Sequence, residues 1–329
     1  MRSANFGGKD VHDGVERPEG GFQPAPYTTH VVDVGGARLH YLDYGTAGHP
    51  SILCVHGGAA HSHWFDFFAP GLVPDFHIRA LDFRGHGDSP WMIPPDYTYE
   101  RHAADLAEVA EQLDLRDFVL IGHSMGGLVS LVYTATYPGR IRALIIVDST
   151  LRMPEERVAM LRNVGNRPGS RYATHEEFLS RYRLRPDGTT AAPEIIRHLA
   201  ERGGRQLPDG SWTHKFDRSV YAQRNSFDGI PHCSKITIPT LVVKGSRSSR
   251  VTPQLIAEAK AQCPTLELAE VPHADHHVFL DNPHGFEWVV KAFLARCNQA
   301  ASQLPRISAL SHEGSGKTPG KMTPVGEGR

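Results

Sequence analysis

The chain has 329 residues, enough for one large α/β domain with an insertion or for two small domains. Hydrophobic residues make up 40% of it and charged residues 22%, a balance that fits a soluble globular protein with a sizeable core. The formal net charge of -1 removes any electrostatic reason to expect nucleic acid or an anionic membrane as partner.

Residues 1–26 are rich in Gly, Pro and charge and read as a disordered N-terminal arm. Residues 28–34 and 37–44 then predict a hairpin joined by Gly35-Gly36. Short apolar runs follow at 51–55, 76–81, 118–121, 143–147, 240–243 and 266–271, each the length of a buried strand. Helical patterns fill the gaps at 99–113, 124–137, 253–262 and 283–297. The alternation predicts an α/β fold, a mostly parallel eight-stranded sheet with helices on both faces. The rhythm breaks over residues 149–235, where helical fragments, many arginines and Pro/Gly breaks occur without a clear strand. We read that stretch as a helical cap inserted into a core made of residues 27–148 and 236–300. Residues 301–329 read as a disordered C-terminal tail.

Four cysteines, Cys54, Cys233, Cys263 and Cys297, are scattered without a CxxC, so no disulfide framework is expected and a reducing compartment is favoured. The polar start has no signal-peptide pattern, and no segment approaches the length of a transmembrane helix, so a cytoplasmic location is expected. The 20 histidines make net charge strongly pH-dependent just below neutrality, but their number alone assigns no function.

Chemistry concentrates at Gly122-His123-Ser124-Met125-Gly126-Gly127, where an apolar run meets a helix-compatible segment. A serine hydroxyl is a poor nucleophile, so it must be presented alone on a sharp turn beside a base. Strand, strained turn and helix do this, and glycines at 122 and 126 remove side chains that would clash as the elements close. Three further motifs follow strand ends: His56-Gly57-Gly58, Asp82-Phe83-Arg84-Gly85-His86-Gly87-Asp88-Ser89, and Val271-Pro272-His273-Ala274-Asp275-His276.

Together these four motifs, in this order, resemble the α/β-hydrolase superfamily over about residues 31–300. The resemblance implies Ser124 as nucleophile and the backbone N–H groups of Gly58 and Met125 as oxyanion donors. It selects His276 as base by its spacing from Leu280-Asp281-Asn282-Pro283, with His277 and His273 as further histidines of the same loop. His277 takes a place where relatives often carry an aromatic residue facing the substrate. The usual acid position lies in Gly245-Ser246-Arg247-Ser248-Ser249-Arg250-Val251-Thr252, which holds no carboxylate; Ser248 stands where the aspartate is expected. A subset of the superfamily supplies the acid one strand earlier, which here is Asp148. Asp148 is therefore expected to orient His276 with Ser248 as an auxiliary hydrogen-bond partner, and Asp275 is the next acid to test.

The expected substrate is a small carboxylic ester or lactone, cleaved without a cofactor through an acyl-enzyme; thioester or amide cleavage uses the same residues. Two alternatives stand beside it. One is a carbon–carbon hydrolase of aromatic ring-cleavage products, and the other a ligand-binding protein that keeps the fold without catalysis. Gly57, Trp64, His123, Arg183 and His277 are the expected substrate contacts, with Arg183 a candidate clamp for a substrate carboxylate. His61-Ser62-His63 has a chelating spacing but no third ligand identifiable in the sequence, so no metal is assigned. The sequence leaves monomer and homodimer open.

Overall fold

The computed structural model describes residues 23–303, the last few by backbone alone, so most of the arm and tail expected at 1–26 and 301–329 lies outside the described residues. Where the two overlap, Ala25 is buried and its N–H donates to Asp66 O (3.3 Å), and the last helix runs on to Gln303.

One eight-stranded sheet organises the chain. Its strands are β1 (Tyr27–Val34), β2 (Ala37–Tyr44), β3 (Ser51–Val55), β4 (His77–Leu81), β5 (Phe118–His123), β6 (Ile141–Val147), β7 (Thr240–Gly245) and β8 (Leu266–Val271). They lie in the order β1-β2-β4-β3-β5-β6-β7-β8. Only β2 runs antiparallel to its neighbours; every pair from β4 to β8 is parallel. All eight expected strands form, within one or two residues at most ends.

The apolar runs are continuous because both sheet faces are covered. Ile52, Cys54, Val119, Ile121, Ile145 and Val147 point to one face, where they meet Phe65, Phe68 and Phe286. Leu53, Val55, Phe118, Leu120, Leu144 and Ile146 alternate onto the other face. There they meet α1 (Tyr99–Gln112), α2 (Met125–Thr136) and α6 (Pro253–Gln262). Thr98 and Thr252 start α1 and α6 by accepting the N–H of Arg101 and Leu255. The last helix, α7 (Pro283–Gln303), closes the first face through Phe286, Val290 and Phe293.

Between β6 and β7 the chain leaves the sheet. This insertion contains α3 (Glu155–Asn166), α4 (His175–Arg181) and α5 (Pro193–Gly203). It also contains two small antiparallel ribbons, 204–206 with 212–214 and 152–153 with 227–228, where the sequence suggested no strand. Three-residue strands carry too few alternations to register as a period. Phe178, Ile195 and Leu199 of the insertion join the same buried cluster as Phe65 and Trp64, so it packs continuously with the sheet domain.

Candidate active site

The strand order reverses beside β3: the chain passes from β3 out to β4, then returns to β5 on the other side. A crevice forms at such a switch point, beyond the carboxyl ends of the strands. Ser124 stands there, between β5 and α2. Its backbone is strained, with φ +52° and ψ −113°, a region that non-glycine residues seldom occupy. Three contacts hold it: its N–H donates to Val147 O (2.9 Å), and its carbonyl accepts from Gly127 and Leu128. A Cβ on Gly122 would lie 2.4 Å from Gly126 O, so strand and helix do close on each other there. At Gly126 the crowding is with β3 instead, where a Cβ would lie 2.5 Å from Val55 O.

His276 reaches this serine from the loop after β8. His276 Nε2 accepts from Ser124 Oγ at 3.1 Å, and Nδ1 donates to Asp148 Oδ2 at 2.7 Å. Asp281 and Asn282 position the histidine loop: Asp281 accepts from Asp275 N (2.8 Å), and Asn282 Nδ2 donates to Pro272 O (3.0 Å).

Asp148 follows β6 in a left-handed conformation, φ +43°. Its N–H donates to Val243 O (2.7 Å), which continues the β6–β7 ladder to the carboxylate itself. Beneath it lies the turn after β7. Ser248 Oγ donates to Asp148 Oδ2 (2.7 Å) and Gly245 N donates to Oδ1 (3.3 Å). Asp148 is fully buried and His276 nearly so. Burial pushes the Asp148 carboxyl up to about 6, opposed by the Ser248 hydroxyl and the Gly245 N–H. Burial likewise drives the His276 imidazole well below its usual value, helped by the charges of His277 and Arg157. Both shifts favour a neutral imidazole at rest, poised to accept a proton.

Gly58, Met125, Trp64 and Arg183 line the same cavity as Ser124 and His276, a space of about 880 Å³ covered by the insertion. Met125 is the first residue of α2, so its N–H has no partner within the helix. Arg183 lines the cavity, but its Nη1 donates to Ser180 O (2.9 Å) and Tyr182 O (2.6 Å), which turns it back on its own segment.

Three expected substrate contacts do not line the cavity. Gly57 lies behind the serine, where a Cβ would sit 3.1 Å from Ser124 Cβ. His123 is buried, and its Nε2 donates to His276 O (3.0 Å), which makes it a prop for the histidine loop. His277 is fully buried; its Nε2 donates to Pro186 O (3.0 Å), and its ring stands edge-on to Trp64 at 5.1 Å. Of the other loop candidates, His273 is exposed, and the His276 ring takes Asp148, not Asp275, as its carboxylate partner.

The remaining motifs act as scaffolding. His56 ties its loop to the end of β4 by donating from Nδ1 to Gly57 O (2.7 Å) and accepting Phe83 N at Nε2 (3.1 Å). Asp82 accepts from Ser62 N (2.6 Å), Asp88 N (3.0 Å) and His40 Nδ1 (2.7 Å). Arg84 makes a buried bidentate pair with Asp105 of α1, its Nη2 at 2.5 Å from Oδ1. His63, for which the sequence offered no third ligand, bonds Asp66 three residues on, and Asp66 also accepts from the distant His198 and Tyr44, forming one hydrogen-bonded group.

Arg224 escapes the sequence reading and Arg157 enters it only as one of several cap arginines, although both line the cavity. Nothing in an arginine-rich insertion marks which guanidinium will be buried.

A family model of the α/β-hydrolase fold matches residues 50–283. A 2-(acetamidomethylene)succinate hydrolase of Mesorhizobium japonicum is 30% identical over 256 residues, 75% of this chain and 88% of that protein. A pimeloyl-[acyl-carrier protein] methyl ester esterase of Neisseria meningitidis is 29% identical over 254 residues, 74% of this chain and 92% of that one. Among solved structures, E-2-(acetamidomethylene)succinate hydrolase superposes with a TM-score of 0.72 at 26% identity, covering 82% of this chain and 100% of its own. No described helix is long and apolar enough to cross a membrane. With sheet order, elbow and family model in agreement, the chain belongs to the α/β-hydrolase family and is a hydrolase.

Proposed function

We propose that the protein is a serine hydrolase that cleaves carboxylic esters through an acyl-enzyme, with Ser124 as nucleophile, His276 as base and Asp148 as the acid. One observation carries this reading: the unbroken relay from Ser124 Oγ to His276 Nε2 (3.1 Å) and from His276 Nδ1 to Asp148 Oδ2 (2.7 Å).

In the proposed reaction Ser124 Oγ attacks the ester carbonyl while its proton passes to His276 Nε2. Asp148 fixes the tautomer that leaves Nε2 free and stabilises the imidazolium that forms. Ser248 takes no proton; its hydroxyl donates to the same carboxylate oxygen and keeps it ionised above about pH 6. The N–H groups of Met125 and Gly58 receive the negative charge of the tetrahedral oxygen. Collapse expels the alcohol, which takes the proton from His276. Water activated by the same imidazole then releases the acid and frees Ser124. The residues of the insertion form the cap that walls this cavity.

The pimeloyl methyl ester esterase similarity supports an ester substrate, although the same relay would serve a carbon–carbon hydrolase. A panel of p-nitrophenyl esters tests the reading. Wild type should show burst kinetics that vanish in Ser124→Ala; a folded wild type that hydrolyses no ester, lactone or thioester would overturn it.

A further inference from the structure

Arg224 carries a guanidinium that the fold buries without an acid. The residue is 4% exposed, yet it lines the cavity that holds Ser124. Its main chain is fixed by two bonds: Arg162 Nε donates to Arg224 O (2.7 Å), and Arg224 N donates to Tyr221 O (3.2 Å). The side chain lies over the Tyr99 ring, Cζ 4.8 Å from its centroid. Nη2 sits 2.9 Å from the sulfur of Met125, the residue directly after the nucleophile. Nε and Nη1 are buried without a hydrogen-bond partner among the described residues.

Burying an unpaired guanidinium costs several kcal/mol, of order the cost of breaking a buried ion pair. The Tyr99 ring and the Met125 sulfur offset part of that cost, and no described acid forms an ion pair that would offset the rest. Arg157 faces the same cavity, and no described residue pairs with it. The Tyr99 hydroxyl is buried without a partner, and the Tyr221 hydroxyl lies 3.0 Å from where a Cβ on Gly58 would be. Ten arginines and two aspartates line the cavity, so its field selects anions. Both aspartates are already engaged, Asp217 by Tyr97 (2.5 Å) and Asp187 beside Arg185 (3.8 Å).

We propose that Arg224, supported by Arg157, binds a carboxylate of the substrate, so that the preferred ester is an anion whose carboxylate lies close to the scissile acyl group. This rests on the ester reading of Ser124. It also moves the carboxylate clamp from Arg183, whose Nη1 is committed to backbone carbonyls, to a guanidinium at the cavity wall whose Nε and Nη1 have no partner among the described residues. Arg224 is thus a specificity residue and takes no part in proton transfer.

The test compares two anionic aryl ester series with neutral esters of the same size. One series carries a carboxylate on the acyl half (hemisuccinate, hemiglutarate) and the other carries it on the aryl leaving group. A charge-assisted contact of this kind changes affinity by about 10- to 100-fold. Wild type should favour one anionic series in kcat/KM by that factor. In Arg224→Met the preference should collapse, mainly through KM, and Arg224→Lys should recover part of it. Wild type without a preference for either anionic series overturns the proposal, even if Arg224→Met does not fold. A folded Arg224→Met that keeps the preference overturns it as well. If no ester is turned over, calorimetry of glutarate with Ser124→Ala separates the two ideas. Binding that Arg224→Met abolishes supports the anion site while the ester reading fails, and absence of binding overturns the anion site too.

Discussion

Replacing Asp148 by Asn tests the relocated acid with little disturbance of the fold. Asn is nearly isosteric and is among the few residues that tolerate φ near +43°, so the backbone has no reason to move. The hydrogen bonds do change. Asp148 accepts three, from His276 Nδ1 (2.7 Å), Ser248 Oγ (2.7 Å) and Gly245 N (3.3 Å). An amide offers only one oxygen. With that oxygen kept on Gly245 N, in the place of Oδ1, the NH₂ group takes the place of Oδ2 and faces both Ser248 Oγ, which can turn to accept, and His276 Nδ1, which must accept. That puts the imidazole proton on Nε2, where it blocks acceptance of the serine proton. In the Ser-His-Asp triad of serine proteases, the same change lowers kcat by about 10⁴. We expect a drop of roughly 10³ to 10⁴ in kcat here, with KM for a neutral ester changed by less than about threefold. Steady-state kinetics with p-nitrophenyl butyrate reads both. The double variant Asp148→Asn/Ser248→Asp should recover at least about tenfold over the single variant, since Ser248 already reaches the same carboxylate. Activity of Asp148→Asn within tenfold of wild type would refute the reasoning and direct attention to another acid.

Four further outcomes are expected. The kcat/KM profile should rise with pH through a limb near about 6, because Asp148 holds its proton below that value and cannot support the imidazolium; activity flat down to about pH 4.5 would contradict this. The same shift carries a stability signature. A folded carboxyl raised from 3.8 to about 6 contributes stability that is full below the lower value and lost as pH rises through the upper one, so Asp148→Asn should gain on wild type across that window in urea titrations. Ser124→Gly should melt higher than Ser124→Ala, because glycine relieves a strain of order 1–3 kcal/mol at φ +52°; equal melting temperatures would remove the strain argument. Arg84→Ala should cost about 1–3 kcal/mol in chemical denaturation, because it removes a buried bidentate pair while Arg101 (Nη2 at 2.5 Å) still holds Asp105; a loss below about 0.5 kcal/mol would show the pair to be dispensable.

The sheet was legible because each strand is an apolar run bounded by turn residues, and burial on both faces keeps those runs unbroken. Asp148 came into view through the family resemblance: the turn from Gly245 to Thr252 holds no carboxylate, and a subset of the superfamily carries the acid one strand earlier. The structure puts Ser248 on the same carboxylate, so serine and aspartate share the position that one residue usually fills. Other parts of the site were hidden. His123 and His277 looked like lining residues from their place in the motifs, but side-chain direction is set by packing, which buries both behind the cavity. Arg183 and Arg224 look alike in the sequence. Only the fold shows that one folds back on its own carbonyls while the other lies against Met125 at the cavity wall. His198 and Asp66 are 132 positions apart, so the network they form with His63 left no local signal.

The role of Ser124 within this relay can be read by peptide mapping after treatment with a fluorophosphonate, which reacts only with a serine activated by its base. We expect one modified peptide in wild type, carrying the label on Ser124, no label in Ser124→Ala, and labelling slowed by orders of magnitude in Asp148→Asn. A folded wild-type protein that stays unlabelled, or that carries the label on another serine, would contradict the assignment of Ser124 as nucleophile.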